Sequence, residues 1–214
     1  MLRKQTLAVG ALLVLDEIVT SRMSSGGMQK LYGVTPDLTA LGKYLGAGFS
    51  FGAFGGRADL LDRFDPKKAG SLGHSGTFNN NVFTMTAGVV GLTQIFTPAR
   101  AQMLFDDGEL LRTRLNCIAA SSGTNAQFTG LGSVMHIHFV SGKITSPEDL
   151  ANASKELVQL FHLDMLEMGI YPARRGQLIL SLPMTSTDFD LVANAVERFF
   201  TNRRDLIIES MIKQ

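Results

Sequence analysis

The chain has 214 residues, with 20 lysines and arginines against 19 aspartates and glutamates. This near-neutral balance argues against nucleic acid or an anionic membrane surface as the main partner, and the length is sufficient to bury a core. The single cysteine, Cys117, cannot form an internal disulfide, so we expect a reducing, cytoplasmic compartment. No apolar stretch approaches the roughly 20 residues that a transmembrane helix needs.

The amino-terminal residues have the outline of a secretory signal, because Arg3 and Lys4 precede an apolar stretch over 7–15. Asp16 follows at once, where a cleavage site of small residues would have to stand. A buried strand explains the same apolar run. We therefore predict a strand here, preceded by a short helix over 2–9.

The apolar run Leu12–Leu15 is typical of a strand buried on both faces of a parallel sheet, and it stops at Asp16. Ligands of open α/β sheets bind at the carboxyl ends of strands, so we predict Asp16 to be a buried acid at a crevice rim. Lys43 follows Gly42 and precedes Gly46 and Gly48, so its backbone is predicted to lie in a flexible, closely packed turn rather than on a solvated helix face. The acid and the lysine together form a candidate site.

This pair suits the chemistry of pyridoxal phosphate (PLP). A lysine in a desolvated pocket has its ammonium form disfavoured, so its amine can condense with an aldehyde as a Schiff base. An aspartate beside the pyridine nitrogen keeps that nitrogen protonated, and the pyridinium then draws electron density from a substrate carbanion. Taken singly, Asp16 also suits a helix cap and Lys43 a solvated surface cation.

Four longer motifs surround these residues and carry a resemblance to a known family. They are, in chain order, LLVLDEIVTSR, YGVTPDLTALGKYLGAG, FGAFGGR and HSGTFNNN. They closely resemble class III aminotransferases of fold type I, in the branch of glutamate-1-semialdehyde aminomutase and β-phenylalanine aminotransferase. The resemblance covers essentially the whole chain. It implies an α/β fold, made of part of the large mixed-sheet domain followed by a small carboxy-terminal α/β lobe, and pyridoxal 5'-phosphate as the cofactor.

The resemblance also implies cofactor-binding roles for individual residues. Asp16 would be the partner of the pyridine nitrogen, Ile18 would pack under the ring, and Lys43 would be the Schiff-base lysine. Gly76 and Thr77 would bind the phosphate of a neighbouring subunit's cofactor, which implies a homodimer.

The same resemblance implies the substrates. The β-amino-acid branch has an arginine before glycine in a segment like YPARRGQLILSLP, and by that likeness Arg175 would grip the substrate carboxylate. The implied reaction moves an amino group from an amino acid, with a β-amino acid as a candidate, to a 2-oxo acid. An aminomutase, which returns the amino group to a neighbouring carbon, is an alternative, although Arg175 favours the aminotransferase.

A further alternative is a non-catalytic fragment of such an enzyme. Family members are much longer, and this sequence resembles a carboxy-terminal piece of their pattern. What it lacks by comparison is the amino-terminal half, with a phosphate loop and the aromatic residue that stacks on the ring. We therefore expect the 214 residues alone to be unable to catalyse transamination.

The rest of the chain is predicted to alternate helices and strands. Asn79 or Asn80 is predicted to cap a helix whose amino terminus would suit a phosphate. The polar stretch 121–125 is predicted to separate two domains, 1–122 and 123–214. The predicted elements are helices over 59–64, 82–96, 98–120, 147–168 and from 186, and strands over 132–140, near 170 and over 178–182.

His136 and His138 are predicted to share one face of a strand, because strand side chains alternate. Two imidazoles can begin a zinc site. No third ligand stands near them in sequence, so we expect no metal.

Overall fold

The structure is a computed structural model that describes residues 1–212 of the chain. They belong to two compact units, Met1–Gln102 and Met103–Gln214. The first unit contains α1 (Leu2–Ala8), β1 (Val14–Asp16), α2 (Gly27–Tyr32), β2 (Leu38–Gly42), β3 (Gly52–Gly56), α3 (Ala58–Leu61) and α4 (Val82–Val90). The helix α5 (Pro98–Ser121) runs across the division, and β4 (Ala126–Leu131), β5 (Val134–Phe139), α6 (Lys155–Glu167), β6 (Gln177–Ile179) and α7 (Ser186–Ile212) follow.

The division between these units lies near the start of α5, whereas the predicted domain boundary at residue 122 follows the end of this helix. The helix itself was predicted over 98–120, which the structure confirms. The prediction that the family's two domains meet at residue 122 stays a prediction.

The first unit is built on a mixed three-stranded sheet in the order β1-β2-β3. β1 runs parallel to β2, and β3 is antiparallel to β2. The mixed sheet confirms the predicted fold class. The prediction that Leu12–Leu15 is buried on both faces is wrong for this structure, because Leu13 is buried while the Val14 side chain is 56% exposed. Side chains alternate along a strand, and only one face of β1 is covered within this unit.

A buried carboxylate, Asp37, ties the start of the first unit together. Its Oδ2 accepts hydrogen bonds from the Leu13 backbone N–H at 2.7 Å and from Arg3 Nη1 at 2.5 Å. Its Oδ1 accepts a hydrogen bond from Arg57 Nη1 at 2.8 Å. The hydrogen bond from Arg3, then those from Leu13 and Arg57, hold the pKa of Asp37 well below its usual range.

Asp37→Asn should therefore lower the free energy of unfolding most strongly near neutral pH. A carboxyl whose pKa is lower in the folded state adds stability above its unfolded pKa of about 3.9, and this is lost as the pH falls through the folded value. Urea titrations from pH 7 to pH 3 should show the difference between wild type and variant shrinking with acid. Asp62→Asn is the matched control, because Asp62 forms an exposed ion pair with Lys68. This substitution should change the free energy of unfolding little at any pH. A difference for Asp37→Asn that does not change with pH would contradict this role.

The second unit carries an antiparallel sheet in the order β4-β5-β6. Only one strand, over 132–140, was predicted where the structure has the hairpin β4–β5. The hairpin turn contains Gly132, whose φ of +48° is left-handed. A Cβ on Gly108 of α5 would lie 2.1 Å from the Gly132 carbonyl oxygen, so the glycine in α5 allows the turn to pack directly on the helix.

Two further predictions in the second unit need correction. The predicted helix 147–168 is divided into a 3₁₀ turn, Pro147–Leu150, and α6. The Ser154 hydroxyl starts α6 by accepting a hydrogen bond from the Leu157 N–H at 3.2 Å. The strand predicted near residue 170 is absent from the described residues, where the third strand of this sheet is β6.

Aromatic and aliphatic side chains from the sheet and from α5, α6 and α7 form the core of the second unit. The rings of Phe161 and Phe199 meet edge to face at 5.2 Å between centroids, a favoured aromatic geometry. The most deeply buried large side chains of this core include Leu115, Met135, Ile137, Phe139, Phe161, Met165 and Phe199.

Among the described residues, no single helix is long and apolar enough to cross a bilayer. The bent pair Val82–Ile95 and Pro98–Ser121 reaches that length and composition only when taken together.

Candidate active site

The topology of the first sheet brings Asp16 and Lys43 to the same edge. β1 and β2 are parallel, and Asp16 pairs with Ala40. β1 ends at Asp16, and β2 ends at Gly42, immediately before Lys43. Since the carboxyl ends of neighbouring parallel strands share an edge, the two predicted residues lie where open α/β sheets bind ligands.

Asp16 itself is exposed, and the prediction of a buried acid is wrong for this residue. Its Oδ1 accepts a hydrogen bond from the Ile18 N–H at 3.0 Å. The buried acid is Glu17, which is 1% exposed and accepts hydrogen bonds from the backbone N–H groups of Met28 at 3.0 Å and Gln29 at 2.7 Å. Successive side chains of an extended segment point to opposite sides, so Glu17 points inward while Asp16 faces solvent. The Glu17 carboxylate thereby accepts hydrogen bonds from N–H groups in the first turn of α2, which have no partner within the helix.

Lys43 opens a 3₁₀ turn, Lys43–Gly46, which we call the Lys43 turn. A Cβ on Gly46 would lie 2.6 Å from the Phe51 Cβ, and a Cβ on Gly88 of α4 would lie 2.7 Å from the Leu45 carbonyl oxygen. Glycine at both positions therefore lets the turn pack between the entry to β3 and α4. The prediction of a tightly packed turn is confirmed, but the Lys43 side chain is exposed and not desolvated.

The backbone of Lys43 is left-handed, with φ of +53°. Residues other than glycine adopt this conformation uncommonly, and such strain concentrates at functional sites. The conformation fixes the direction in which the side chain leaves the sheet edge.

Ile18 packs beside this turn. A Cβ built on Gly42 would meet the Ile18 Cγ2 at 3.5 Å, so the isoleucine side chain lies near the backbone just before Lys43. Asp16, Ile18 and Lys43 therefore all lie at this edge of the sheet.

Tyr44, which belongs to the Lys43 turn, and Arg22 were not singled out from the sequence, and both take part in contacts there. The half-buried ring of Tyr44 lies 4.8 Å from that of Phe96, between centroids, and burial raises the pKa of Tyr44. Burial also lowers the pKa of Arg22, which interacts electrostatically with Tyr44. An arginine and a tyrosine far apart in sequence give no local signal for such a contact.

Gly76 and Thr77 lie in an exposed segment before α4. The Gly76 carbonyl oxygen accepts a hydrogen bond from the Asn79 N–H at 3.0 Å, and a Cβ on Gly76 would lie 2.7 Å from the Asn79 Oδ1. Gly76 thus allows a compact turn whose outer surface is free to meet another molecule.

The residue that caps α4 is Asn81, and the prediction of Asn79 or Asn80 is wrong. The Asn81 Oδ1 accepts hydrogen bonds from the N–H groups of Phe83 at 3.0 Å and Thr84 at 3.3 Å. Three consecutive asparagines all suit a cap, and the turn made by the first two leaves the third at the helix start.

Arg175 lies in the second unit, on the exposed turn before β6. Its Nε and Nη2 donate hydrogen bonds to the Gln177 Oε1 at 2.8 Å and 2.5 Å. Its carbonyl oxygen accepts a hydrogen bond from His136 Nε2. The side chain is therefore held by a neutral amide rather than by a carboxylate.

The two histidines of β5 lie together, as predicted, with 4.5 Å between ring centroids. The His138 Nε2 is 2.8 Å from the Thr129 Oγ1, and burial, followed by the charge of His136, lowers the pKa of His138 to about 4. Within residues 1–212, no group of three or more His, Cys, Asp or Glu side chains is arranged to hold a metal ion.

Comparison with known proteins places the chain in a family. The family described as aminotransferase class-III matches residues 1–201. β-Phenylalanine transaminase of Variovorax paradoxus is 52% identical over 198 residues, which are 92% of this chain and 45% of that protein. Glutamate-1-semialdehyde 2,1-aminomutase of Desulforudis audaxviator is 35% identical over 202 residues, which are 93% of this chain and 46% of that protein.

A crystal structure of a β-phenylalanine aminotransferase from Variovorax paradoxus matches with a TM-score of 0.93 at 50% identity, over 96% of this chain and 47% of that one. The chain belongs to the class III aminotransferase family, and its fold is part of the fold type I architecture of these transaminases. It spans about half the length of the relatives it matches.

Proposed function

We propose that this chain carries the lysine and aspartate of the catalytic site of a PLP-dependent aminotransferase. The reaction would move an amino group from an amino acid to a 2-oxo acid. The observation that supports this most directly is the grouping of Asp16, Ile18 and Lys43 at the carboxyl ends of two adjacent parallel strands.

These residues fit pyridoxal 5'-phosphate chemically. Lys43 would hold the cofactor through its exposed amine, Asp16 would face the pyridine nitrogen, and Ile18 would lie against the ring. Among the described residues, only Oδ1 of Asp16 accepts a hydrogen bond, which leaves Oδ2 for the nitrogen. When bound, PLP supplies an electron sink for a carbanion next to the amino group.

Each side chain would then have one task. The Asp16 carboxylate would hold a proton on the pyridine nitrogen, as a nearby negative charge favours the cationic form. The Lys43 Nζ would act as the base that shuttles a proton. It would take the proton from the carbon that bears the amino group and later give a proton back. The left-handed backbone of Lys43 and the packing of the Lys43 turn would orient the amine.

A β-amino acid is the proposed amino donor. The support is the 52% identity to a protein named β-phenylalanine transaminase and the exposed, charged side chain of Arg175, which would bind the substrate carboxylate. The second candidate is an aminomutase, supported by 35% identity to a glutamate-1-semialdehyde aminomutase.

We also propose a cytoplasmic homodimer in which Gly76 and Thr77 reach the phosphate of the other subunit's cofactor. The exposed turn at Gly76 supports this, together with the apolar side chains around it, since Phe78 is 82% exposed. The exposed apolar face of the following helix α4, with Val82 and Phe83, suits an interface.

The test of the cofactor assignment is a covalent map. The chain is incubated with PLP, reduced with borohydride and digested, and mass spectrometry should find the pyridoxyl group on Lys43. Lys43→Arg is the control and should lose that label while keeping the fold. Label that appears mainly on Lys30, Lys67 or Lys68 would contradict the assignment of Lys43 as the lysine that binds PLP.

A further inference from the structure

Three aromatic rings of the first unit meet where the segment between α3 and α4 folds back. The His74 ring lies 5.5 Å from that of Phe54 and 5.9 Å from that of Phe64, between centroids, and both contacts are edge to face. The rings of Phe54 and Phe64 lie 5.4 Å from each other. Edge-to-face packing at such distances is favoured, so the three rings stabilise one another. We call them the His74 cluster.

The His74 cluster joins this segment to a part of the unit that is already folded. Phe64 ends the 3₁₀ turn Asp62–Phe64, and the Leu72 N–H donates a hydrogen bond to the Arg63 carbonyl oxygen of that turn at 2.7 Å. The segment therefore returns to the same turn twice, once through its backbone at Leu72 and once through the ring of His74. Within the described part of the chain, ring contacts are the interactions that the His74 side chain makes.

Gly76 and Thr77 lie between two fixed points of this segment. His74 comes two residues before Gly76, and Asn81 ties the other end to the start of α4. Three residues of chain span at most about 10 Å, so a fixed His74 limits where Thr77 can lie. Without the ring contacts, the preceding fixed point would be Leu72, which allows Thr77 a reach of about 17 Å.

The His74 cluster also stands on the sheet face that carries Asp16. Phe54 pairs with Ala40 of β2, and Ala40 pairs with Asp16 of β1. Directly paired residues of neighbouring strands point to the same face, and Phe54 and Asp16 are both exposed. Neighbouring strands are about 4.8 Å apart, so about 10 Å separates these two residues across the sheet. The segment with Gly76 and Thr77 is thus fixed relative to the same sheet that has Lys43 at its edge.

We propose that His74 is a positioning residue, whose ring contacts with Phe54 and Phe64 hold Gly76 and Thr77 where they would bind the cofactor phosphate. This inference rests on the phosphate role proposed above for Gly76 and Thr77. A turn that is fixed before the phosphate arrives loses less conformational entropy on binding. His74 acts through the turn, and the ring of the side chain, not its nitrogen atoms, performs the task.

The first test needs no cofactor. Hydrogen exchange in the full 214-residue chain should show the amides of Leu72 and Asn79, both hydrogen-bonded in the structure, exchanging about tenfold faster in His74→Ala. His74→Phe keeps an aromatic ring and should restore the slow exchange. His162→Ala, which removes a histidine that contacts Tyr171 in the second unit, is the matched control and should leave both amides unchanged.

The second test isolates the phosphate. Borohydride labelling of Lys43 is measured over a range of concentrations of PLP and of pyridoxal, which has the aldehyde but no phosphate. The ratio of the two half-maximal concentrations is the phosphate preference. This preference should fall by about tenfold in Thr77→Val, which loses a hydroxyl donor, and several-fold in His74→Ala. It should keep its wild-type value in His74→Phe and in His162→Ala.

Unchanged exchange in His74→Ala, or exchange as fast in His74→Phe as in His74→Ala, would overturn the proposal. A phosphate preference that is lost in Thr77→Val but kept in His74→Ala would also overturn it, while leaving the proposed role of Thr77 in place. Loss of the preference in His74→Phe would overturn it too, because the imidazole nitrogen atoms would then be the groups that bind the phosphate. A preference unaffected by Thr77→Val would contradict the proposed phosphate role itself, and the inference with it.

Discussion

The 214-residue chain, purified alone and given PLP, should transaminate a β-amino acid with 2-oxoglutarate or pyruvate at no measurable rate. Asp16 and Lys43 are both exposed on the sheet edge, and the Leu12 and Val14 side chains beside them are 50% and 56% exposed. A cofactor held only from this side would lack a fixed pose, and loss of orientation costs several powers of ten in rate.

Co-expression with the part of β-phenylalanine transaminase that this chain does not match should restore turnover, because the two sequences are 52% identical where they overlap. The same preparation made with Lys43→Ala is the control and should stay inactive. The expectation fails if the chain alone shows robust, PLP-dependent turnover that disappears in Lys43→Ala.

In that restored preparation, Asp16→Asn should lower turnover by about a hundredfold or more while the cofactor stays bound. The amide keeps the shape and can still accept the hydrogen bond from the Ile18 N–H, but it loses the negative charge that favours a protonated pyridine nitrogen. Removing one electrostatic contact to a reacting centre typically costs two to three powers of ten.

The readout has two parts. Borohydride labelling of Lys43 should persist in Asp16→Asn, while the rate constant for turnover falls. Asp62→Asn, which removes an exposed carboxylate of the same unit, is the matched control and should keep normal turnover. Near-normal turnover in Asp16→Asn would show that this aspartate has only a local structural role.

Much of the first unit could be predicted from local sequence. The glycines around Lys43 indicated a close turn, and the structure shows Gly46 and Gly88 in contacts too tight for a side chain. The apolar run stopping at Asp16 indicated where a strand would end. These signals depend only on neighbouring residues in the sequence, so they can be interpreted without knowledge of the rest of the fold.

The errors concern which of several similar neighbours takes a given role. Asp16 and Glu17 are adjacent acids, and only the position of α2 decides that Glu17 is the buried one. Likewise, Asn81 is the cap because Asn79 and Asn80 are used in the preceding turn. Choices of this kind depend on tertiary contacts that the sequence pattern does not contain.

The second unit was harder to predict for a related reason. β4 contains Ala126, Gln127 and Gly130, which carry no strong strand signal, and it is held by its pairing with β5. The break before α6 has neither proline nor glycine, and it becomes visible only through the hydrogen bond that Ser154 makes.

The left-handed backbone of Lys43 has a consequence for how folding and chemistry compete at one position. A residue with a Cβ costs on the order of 1–3 kcal/mol in that conformation, whereas glycine adopts it freely. Lys43→Gly should thus give a more stable protein that has lost its amine. If the proposed role is right, the lysine is a local compromise between stability and activity, and thermal robustness is a poor guide to whether a variant at this position still works.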